Sequence, residues 1–239
     1  MRVAVVSDIH GNRTAFEAVL ADLRRTSPDV IFHGGDLAHG GSSPAEVVDS
    51  IRDLGWQGVI GNTDEMLPVP ETLRKFASDN PQQKYLFEVI GEMAAVTRET
   101  LGTERLAWLG NLPRKQLHGS IALVHASPES CWRSPTHEAS DAELQTVYGP
   151  LSKPVAVFGH IHRPFIRSIS GLTVVNTGSV SLTFDGDRRA AYLLVDESTP
   201  TIRRVEYDVG KELKALAECG LPHAEWVAKT LESGRYQPP

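Results

Sequence analysis

The chain has 239 residues, 41% of them apolar and 23% charged, with a formal net charge of −6. That length is ample for a sizeable core, and the composition excludes disordered and collagen-like classes. The acidic balance argues against a nucleic-acid-coating surface, which normally carries a basic face; it leaves room for a phosphate ligand, because bound cations reverse the local sign.

Val3-Ala4-Val5-Val6 is a continuous apolar run, the pattern of a strand buried on both faces, and it ends at Ser7-Asp8-Ile9-His10-Gly11. Asn12 then reads as the cap of a helix whose Phe16, Val19, Leu20 and Leu23 recur at helical spacing. A second strand, residues 29–32, ends at Gly34-Gly35-Asp36. Ser43-Pro44 opens a second helix, with Val47, Val48, Ile51 and Leu54 as its buried stripe. A third strand, residues 56–60, runs into Gly61-Asn62. This β-α-β-α-β alternation predicts a parallel sheet flanked by helices, with ligands beyond the carboxyl ends of the strands.

From 66 to 116 the pattern changes to helix and loop, an expected insertion with Tyr85, Leu86, Val89, Ile90 and Met93 on one face. Strand patterns return at 121–124, 154–158 and 172–175, followed by two late strands, 189–195 and 201–207, expected to be antiparallel. The tail from 210 to 239 reads as two short helices broken at Gly220-Leu221-Pro222 and packed on the main body. No repeat or linker divides the chain, so residues 1–239 are expected to form one domain. Cys131 and Cys219 are in no metal or redox spacing, and the N-terminal apolar run is too short for a signal-peptide core. A reduced, cytoplasmic location without a membrane span is the expectation.

The chemistry collects at the strand ends. The first strand is followed by Asp8-x-His10, the second by Gly35-Asp36 and the third by Gly61-Asn62; the next two are followed by His125 and by Gly159-His160-Ile161-His162. Imidazole with carboxylate suits divalent manganese, iron, cobalt, nickel or zinc. In an extended segment Asp8 and His10 would point to the same side and reach one ion. Seven ligands are too many for one site that keeps an open position and fit two ions sharing a carboxylate, the arrangement used for in-line displacement at phosphorus. Each piece alone is weak, but five in order, each at a strand end, form a specific pattern.

Asp8-Ile9-His10, Gly35-Asp36, Gly61-Asn62, His125 and Gly159-His160-Ile161-His162 resemble the ordered blocks of the calcineurin-like metallophosphoesterase superfamily. The stretches Asp8-Ile9-His10-Gly11-Asn12 and Asn176-Thr177-Gly178-Ser179-Val180 are similar to its compact bacterial and archaeal phosphodiesterase-like branch. The resemblance spans residues 8 to about 180. It implies an α/β fold, a four-layer α/β/β/α sandwich with a dimetal site at the sheet edge. It also implies that Asp8, His10 and His162 hold one ion, that Asn62, His125 and His160 hold the other, and that Asp36 bridges them. The two divalent ions would be manganese first, with iron, nickel, cobalt or zinc as alternatives, and a hydroxide bridging them would attack phosphorus. Asn12, Asn62 and Thr63 are the expected substrate contacts. The implied partner is a small phosphate ester or nucleotide, with neither membrane nor nucleic acid; a homodimer is left open.

One position departs from the pattern. Most hydrolases of the family carry a histidine where this chain has Thr63, followed by an acid, here Asp64. A positioned general acid is worth about 10²–10⁴ in rate, and a threonine hydroxyl does not titrate near neutrality. The expectation is a phosphodiesterase that favours good leaving groups. A phosphomonoesterase, a dinucleoside polyphosphate hydrolase and a metal-retaining interaction scaffold are the alternatives. His39, three residues past Asp36, is the candidate replacement acid, set against an ordinary exposed loop histidine. His33 is expected beneath the site, and His118, His137 and His223 in solvent.

Overall fold

Strand β1 (Arg2–Val6), helix α1 (Arg13–Thr26), strand β2 (Val30–His33), helix α2 (Pro44–Asp53) and strand β3 (Gln57–Gly58) form the alternating half of the chain, with β1, β2 and β3 parallel. The computed structural model describes residues 1–239. Asn12 caps α1 as its side-chain type suggests, its Oδ1 accepting from the Ala15 amide at 2.8 Å. The third strand is shorter than the apolar run 56–60. The Ile60 amide turns away to the Pro113 carbonyl at 2.8 Å, so the chain leaves the sheet early.

Three helices follow: α3 (Asn62–Met66), α4 (Glu71–Asp79) and α5 (Lys84–Gly110). The helical face expected over Tyr85 to Met93 belongs to α5, which continues beyond it through a break at Gly102 with φ 67° and ψ 172°. Next come β4 (Lys115–His118), β5 (Ile121–Val124), α6 (Asp141–Tyr148), β6 (Val155–Phe158), β7 (Phe165–Ile169) and β8 (Leu172–Asn176). The antiparallel pair β9 (Ala190–Asp196) and β10 (Thr199–Val205) precedes α7 (Val209–Glu218) and α8 (Ala224–Ser233).

The strands make two sheets, ordered β10-β9-β1-β2-β3 and β4-β5-β6-β8-β7. Strands β4 and β7 are antiparallel edges that the sequence pattern did not announce. Both mix polar with apolar residues and expose Leu117 and Ile166, so neither carries a buried run. The helix α6 was also silent, because only Leu144 and Tyr148 on its inner face are buried.

Period-two alternation then fixes the layers. Val3 and Val5 of β1, Ile121 and Leu123 of β5, and Val155 and Val157 of β6 share one core between the sheets. Ala4 and Val6 face a second core with Phe16, Val48 and Leu101 of α1, α2 and α5. Ala122, Val124, Ala156 and Phe158 pack on Leu144 and Tyr148 of α6. The result is the expected four-layer α/β/β/α sandwich. The tail docks on α5, where Val89 and Met93 meet Leu216, Val227 and Leu231. No helix is long and apolar enough to cross a membrane.

Candidate active site

All seven residues read as ligands come together at the edge where β1, β2, β5 and β6 end. Asp8, His10, Asp36 and His162 present ligand atoms within 4.8 Å of one another, and all four are buried. His162 Nε2 lies 3.1 Å from Asp8 Oδ1, and His10 Nε2 lies 3.6 Å from Asp36 Oδ2. On the other side of Asp36, His125 Nε2 lies 3.5 Å from Oδ1. Asn62 Oδ1 is 3.1 Å from that same nitrogen and 2.9 Å from His160 Nδ1. Asp36 therefore stands between two groups of donors, one oxygen toward each.

The chain does not reach this arrangement by extended geometry. Asp8, His10, Asp36, His160 and His162 have φ of 57°, 50°, 54°, 67° and 55°, all in the left-handed region. Asp8 and His10 converge because the backbone turns twice after β1, and not because they are neighbours on one side of a strand. Left-handed backbone at a non-glycine residue costs about 1–3 kcal/mol and clusters at functional sites. Tertiary hydrogen bonds hold it here: the Asp8 amide to Gly35 O at 3.0 Å, the His10 amide to Asp36 O at 2.9 Å, and Ser179 Oγ to Asp8 O at 2.8 Å. Left-handed turns at both His160 and His162 also send their rings to different groups of donors.

The glycines beside the ligands are there for space. A Cβ on Gly61 would stand 2.0 Å from Asp36 Oδ1, and one on Gly159 would stand 2.3 Å from Asp8 Oδ2. No side chain fits at either position without displacing a ligand carboxylate.

The tautomers point the same way. His10, His125 and His162 each donate Nδ1–H to a backbone carbonyl, of His39 at 2.7 Å, Gly34 at 2.8 Å and Leu182 at 2.6 Å. A neutral imidazole fixed like this has a bare Nε2 lone pair, the form that binds metal. Two such lone pairs, on His10 and His162, then face each other at 3.2 Å. Two acceptors at that distance repel unless a proton or a cation lies between them. The donor set fits divalent cations on this ground alone.

Charge in the cluster tells the same story. Burial alone would raise the Asp8 carboxyl, but His162 and His125 hold it below the usual carboxylate range. Asp36 is likewise held well below that range by His125 and His10, against its burial. Burial would lower His125, yet the Asp36 carboxylate pushes it up to about 10. Burial, together with charge on His125, pushes His160 down to about 4, and burial also lowers His10. In the free chain a proton on His125 balances the carboxylates; a divalent ion would do that work instead.

Several residues have roles that the sequence did not disclose. Asp64 does not hang free beside a missing histidine. Its carboxylate accepts from the amides of Asp36 at 2.8 Å, Leu37 at 2.9 Å and Gly61 at 3.1 Å, clamping the loop that carries Asp36. Burial and the Asp36 charge push it up to about 7, while those amides pull the other way. Its place three residues after the residue preceding α3 is the local signal that could have found it. Ser7 Oγ donates to Asp8 Oδ2 at 2.6 Å, a contact with no sequence signature.

The expected substrate contacts divide. The Thr63 amide donates to Asp36 Oδ1 at 3.0 Å, and its buried hydroxyl has no partner. Asn12, by contrast, is 1% exposed; besides capping α1 it donates through Nδ2 to Ser181 Oγ at 3.1 Å. Both ends of that side chain are committed to the fold. His39 is buried, not exposed, and lines the cavity on the ligand edge, with Nδ1 unpartnered. Burial, with His10 close by, pushes it down to about 3. His33 lies fully buried at the end of β2, as expected. His118, His137 and His223 are half-buried, with His223 bonded to Glu92 at 2.7 Å, rather than free in solvent.

The domain pattern of the calcineurin-like phosphoesterase superfamily matches residues 1–199. The chain belongs to that superfamily. An uncharacterized protein of Methanocaldococcus jannaschii is 32% identical over 257 residues, covering 98% of each chain. A metallophosphoesterase from Sphaerobacter thermophilus superposes with a TM-score of 0.79 at 27% identity, over 98% of this chain and 100% of its own. A hypothetical protein from Pyrococcus horikoshii OT3 shares the fold with a TM-score of 0.85 at 20% identity, over 99% of each chain. The calcineurin-like phosphoesterases are divalent-metal dependent, and the cluster around Asp36 is the candidate place for those ions in this member.

Proposed function

We propose that the protein is a dinuclear metal-dependent phosphodiesterase. The observation that carries this reading is Asp36 lying between two converging donor groups, Asp8–His10–His162 and Asn62–His125–His160, of which His10, Asn62 and His160 line a cavity. Ions of the manganese, iron, cobalt, nickel and zinc series suit these nitrogen and oxygen donors. Bound there, they would supply Lewis-acid polarisation of the phosphoryl group and a water of lowered pKa.

The chain's own residues do the rest. Asp36 is oriented by the Thr63 amide and by the loop clamped at Asp64, so its two oxygens serve both donor groups. Asn62 turns its amide oxygen to His125 and His160, which leaves its NH2 for a phosphate oxygen. The unpartnered Thr63 hydroxyl is a second donor for the phosphoryl group. Hydrolysis adds water across the P–O bond, and the departing oxygen needs a proton. Thr63 cannot supply it, and His39, pushed down to about 3 by burial and by His10, is neutral and has no acidic proton to give. The site therefore works best where the leaving group is stable without assistance.

Diesters of acidic alcohols meet this condition, as do phosphoanhydrides. The test compares kcat/KM for an aryl phosphodiester and an alkyl phosphomonoester, before and after chelation and with manganese added back. The aryl diester is expected to be much the faster, and only with metal. Efficient hydrolysis of the alkyl monoester overturns the reading.

A further inference from the structure

The cavity at the ligand edge is unlike the edge itself. Its polar end is formed by His10, Asn62, Thr63 and His160, with His39 beside them, and the wall beyond carries three further polar side chains, Gln83, Thr230 and Tyr236. The rest of its wall is apolar: Leu73 and Phe76 from α4, Leu86 and Ile90 from α5, Trp226 from α8 and Phe184 from the loop after β8. No lysine, arginine, aspartate or glutamate lines it. Its volume of ≈ 270 Å³ lies just below the range of small-molecule sites, about 300–1,000 Å³.

These properties discriminate among phosphate esters. A polyphosphate carries charge beyond the phosphoryl group under attack, and no cationic side chain is present to meet it. A nucleobase and ribose carry donors and acceptors that an apolar wall leaves unpaired, which is costly on burial. An alkyl chain or an aromatic ring meets neither obstacle and gains by leaving water. The aromatic surface contributed by Phe76, Phe184 and Trp226 suits such a group.

We propose that the substrate is a phosphodiester in which one ester oxygen carries an apolar alkyl or aryl group that fills this cavity while the phosphoryl group lies on the Asp36 cluster. The assignment rests on the phosphodiesterase reading above and narrows it away from dinucleoside polyphosphates. The roof helices α4, α5 and α8 then act as the specificity element.

A series of methyl, butyl, hexyl and octyl p-nitrophenyl phosphates tests this, with phenyl p-nitrophenyl phosphate as the aryl member. The leaving group is constant throughout, so only the cavity is varied. Thymidine 5′-p-nitrophenyl phosphate and diadenosine tetraphosphate stand as the polar comparators. The expected kcat/KM rises by up to about fourfold per methylene, the factor corresponding to ~0.8 kcal/mol per buried CH2, until the cavity is full. Leu86→Lys, at a half-buried wall position, flattens the rise; Ile90→Lys one turn later is the second variant if the first does not fold. A separate readout is quenching of tryptophan fluorescence by 2-naphthol in metal-stripped protein, since Trp132 and Trp226 line the cavity. Saturable quenching that Leu86→Lys weakens supports the proposal. A flat series, or faster hydrolysis of the thymidine diester, overturns the substrate class and leaves the phosphodiesterase standing; faster hydrolysis of diadenosine tetraphosphate overturns both. Hydrolysis of no diester at all overturns the function on which the proposal rests. The naphthol titration, which needs no metal, then separates that failure from a failure of the cavity.

Discussion

At the sheet edge, buried imidazoles and carboxylates sit on left-handed backbone and are held by hydrogen bonds that reach across both sheets. Over that edge, α4, α5 and α8 present ordinary leucine, isoleucine, phenylalanine and tryptophan side chains on regular helix. The two regions face each other across one cavity. The edge is over-determined, since Asp8, His10, Asp36, His125 and His162 are each positioned by a backbone carbonyl, a neighbouring amide or a missing Cβ. The roof is determined only by packing, so it can change its residues without touching the chemistry. The contrast teaches where reaction type and substrate choice are stored separately in one chain.

The largest expected effect is at the edge. Asp36→Asn removes the carboxylate that serves both donor groups, and it is expected to abolish measurable hydrolysis and reduce bound metal below two ions per chain. Metal analysis by mass spectrometry beside a diester assay checks it; full activity with full metal would remove the bridging assignment.

His33 tests the boundary between the regions. It is fully buried at the end of β2, packs near Trp108 of α5, and neither ring nitrogen has a partner. Burial pushes it down from 6.5 to about 3. The unfolded chain therefore binds a proton below about 6.5 that the folded chain refuses until about 3. Stability is full above that window and is lost as pH falls through it, by ~2 kcal/mol at pH 5. His33→Leu should remove this part of the acid sensitivity, measured as urea unfolding at pH 7 and pH 5. Equal losses in both proteins would show that His33 is not the group responsible.

Asn12 asks whether a residue beside the edge belongs to it. With both polar ends committed to the fold, Asn12→Ala is expected to cost ~1 kcal/mol through loss of the helix cap and to leave KM for a diester unchanged. A raised KM with unchanged stability would restore it as a substrate contact.

The smallest effect belongs to the roof. Arg105 of α5 meets Asp49 of α2 through two hydrogen bonds of 2.8 and 2.6 Å, with side chains 31% and 41% exposed. Screening by solvent limits such a pair to ~0.2–1 kcal/mol. Arg105→Gln should shift the denaturation midpoint slightly and should lose even that effect in high salt.

The same contrast governs what could be read from the chain. Asp8, His10, Asp36, Asn62, His125, His160 and His162 were legible because metal chemistry admits few residue types and the alternating strands bring their ends to one edge. The apolar strands β1, β5 and β6 were legible for a similar reason, being buried on both faces. The clamp made by Asp64 is not legible because its partners are backbone amides, which no sequence names. The edge strands β4 and β7 escaped because half their residues face water. Leu86 and Ile90 read as a helical stripe, but that a cavity and not a solid core lies beneath them depends on how α5 sits over the edge. His39 was weighed as a surface residue since nothing local records that the roof covers it.

The left-handed turns at Asp8, His10 and Asp36 also bear on how much of the chain the centre needs. All three residues lie in the first 36 of the chain, yet Asp8 is held from the other end of the sequence as well. Ser179 binds its carbonyl, and the His160 amide binds its carboxylate at 3.1 Å. A nascent or truncated chain containing only β1 to β3 would own three of the ligands without their geometry. The geometry of the centre is thus complete only where the second sheet is docked onto the first.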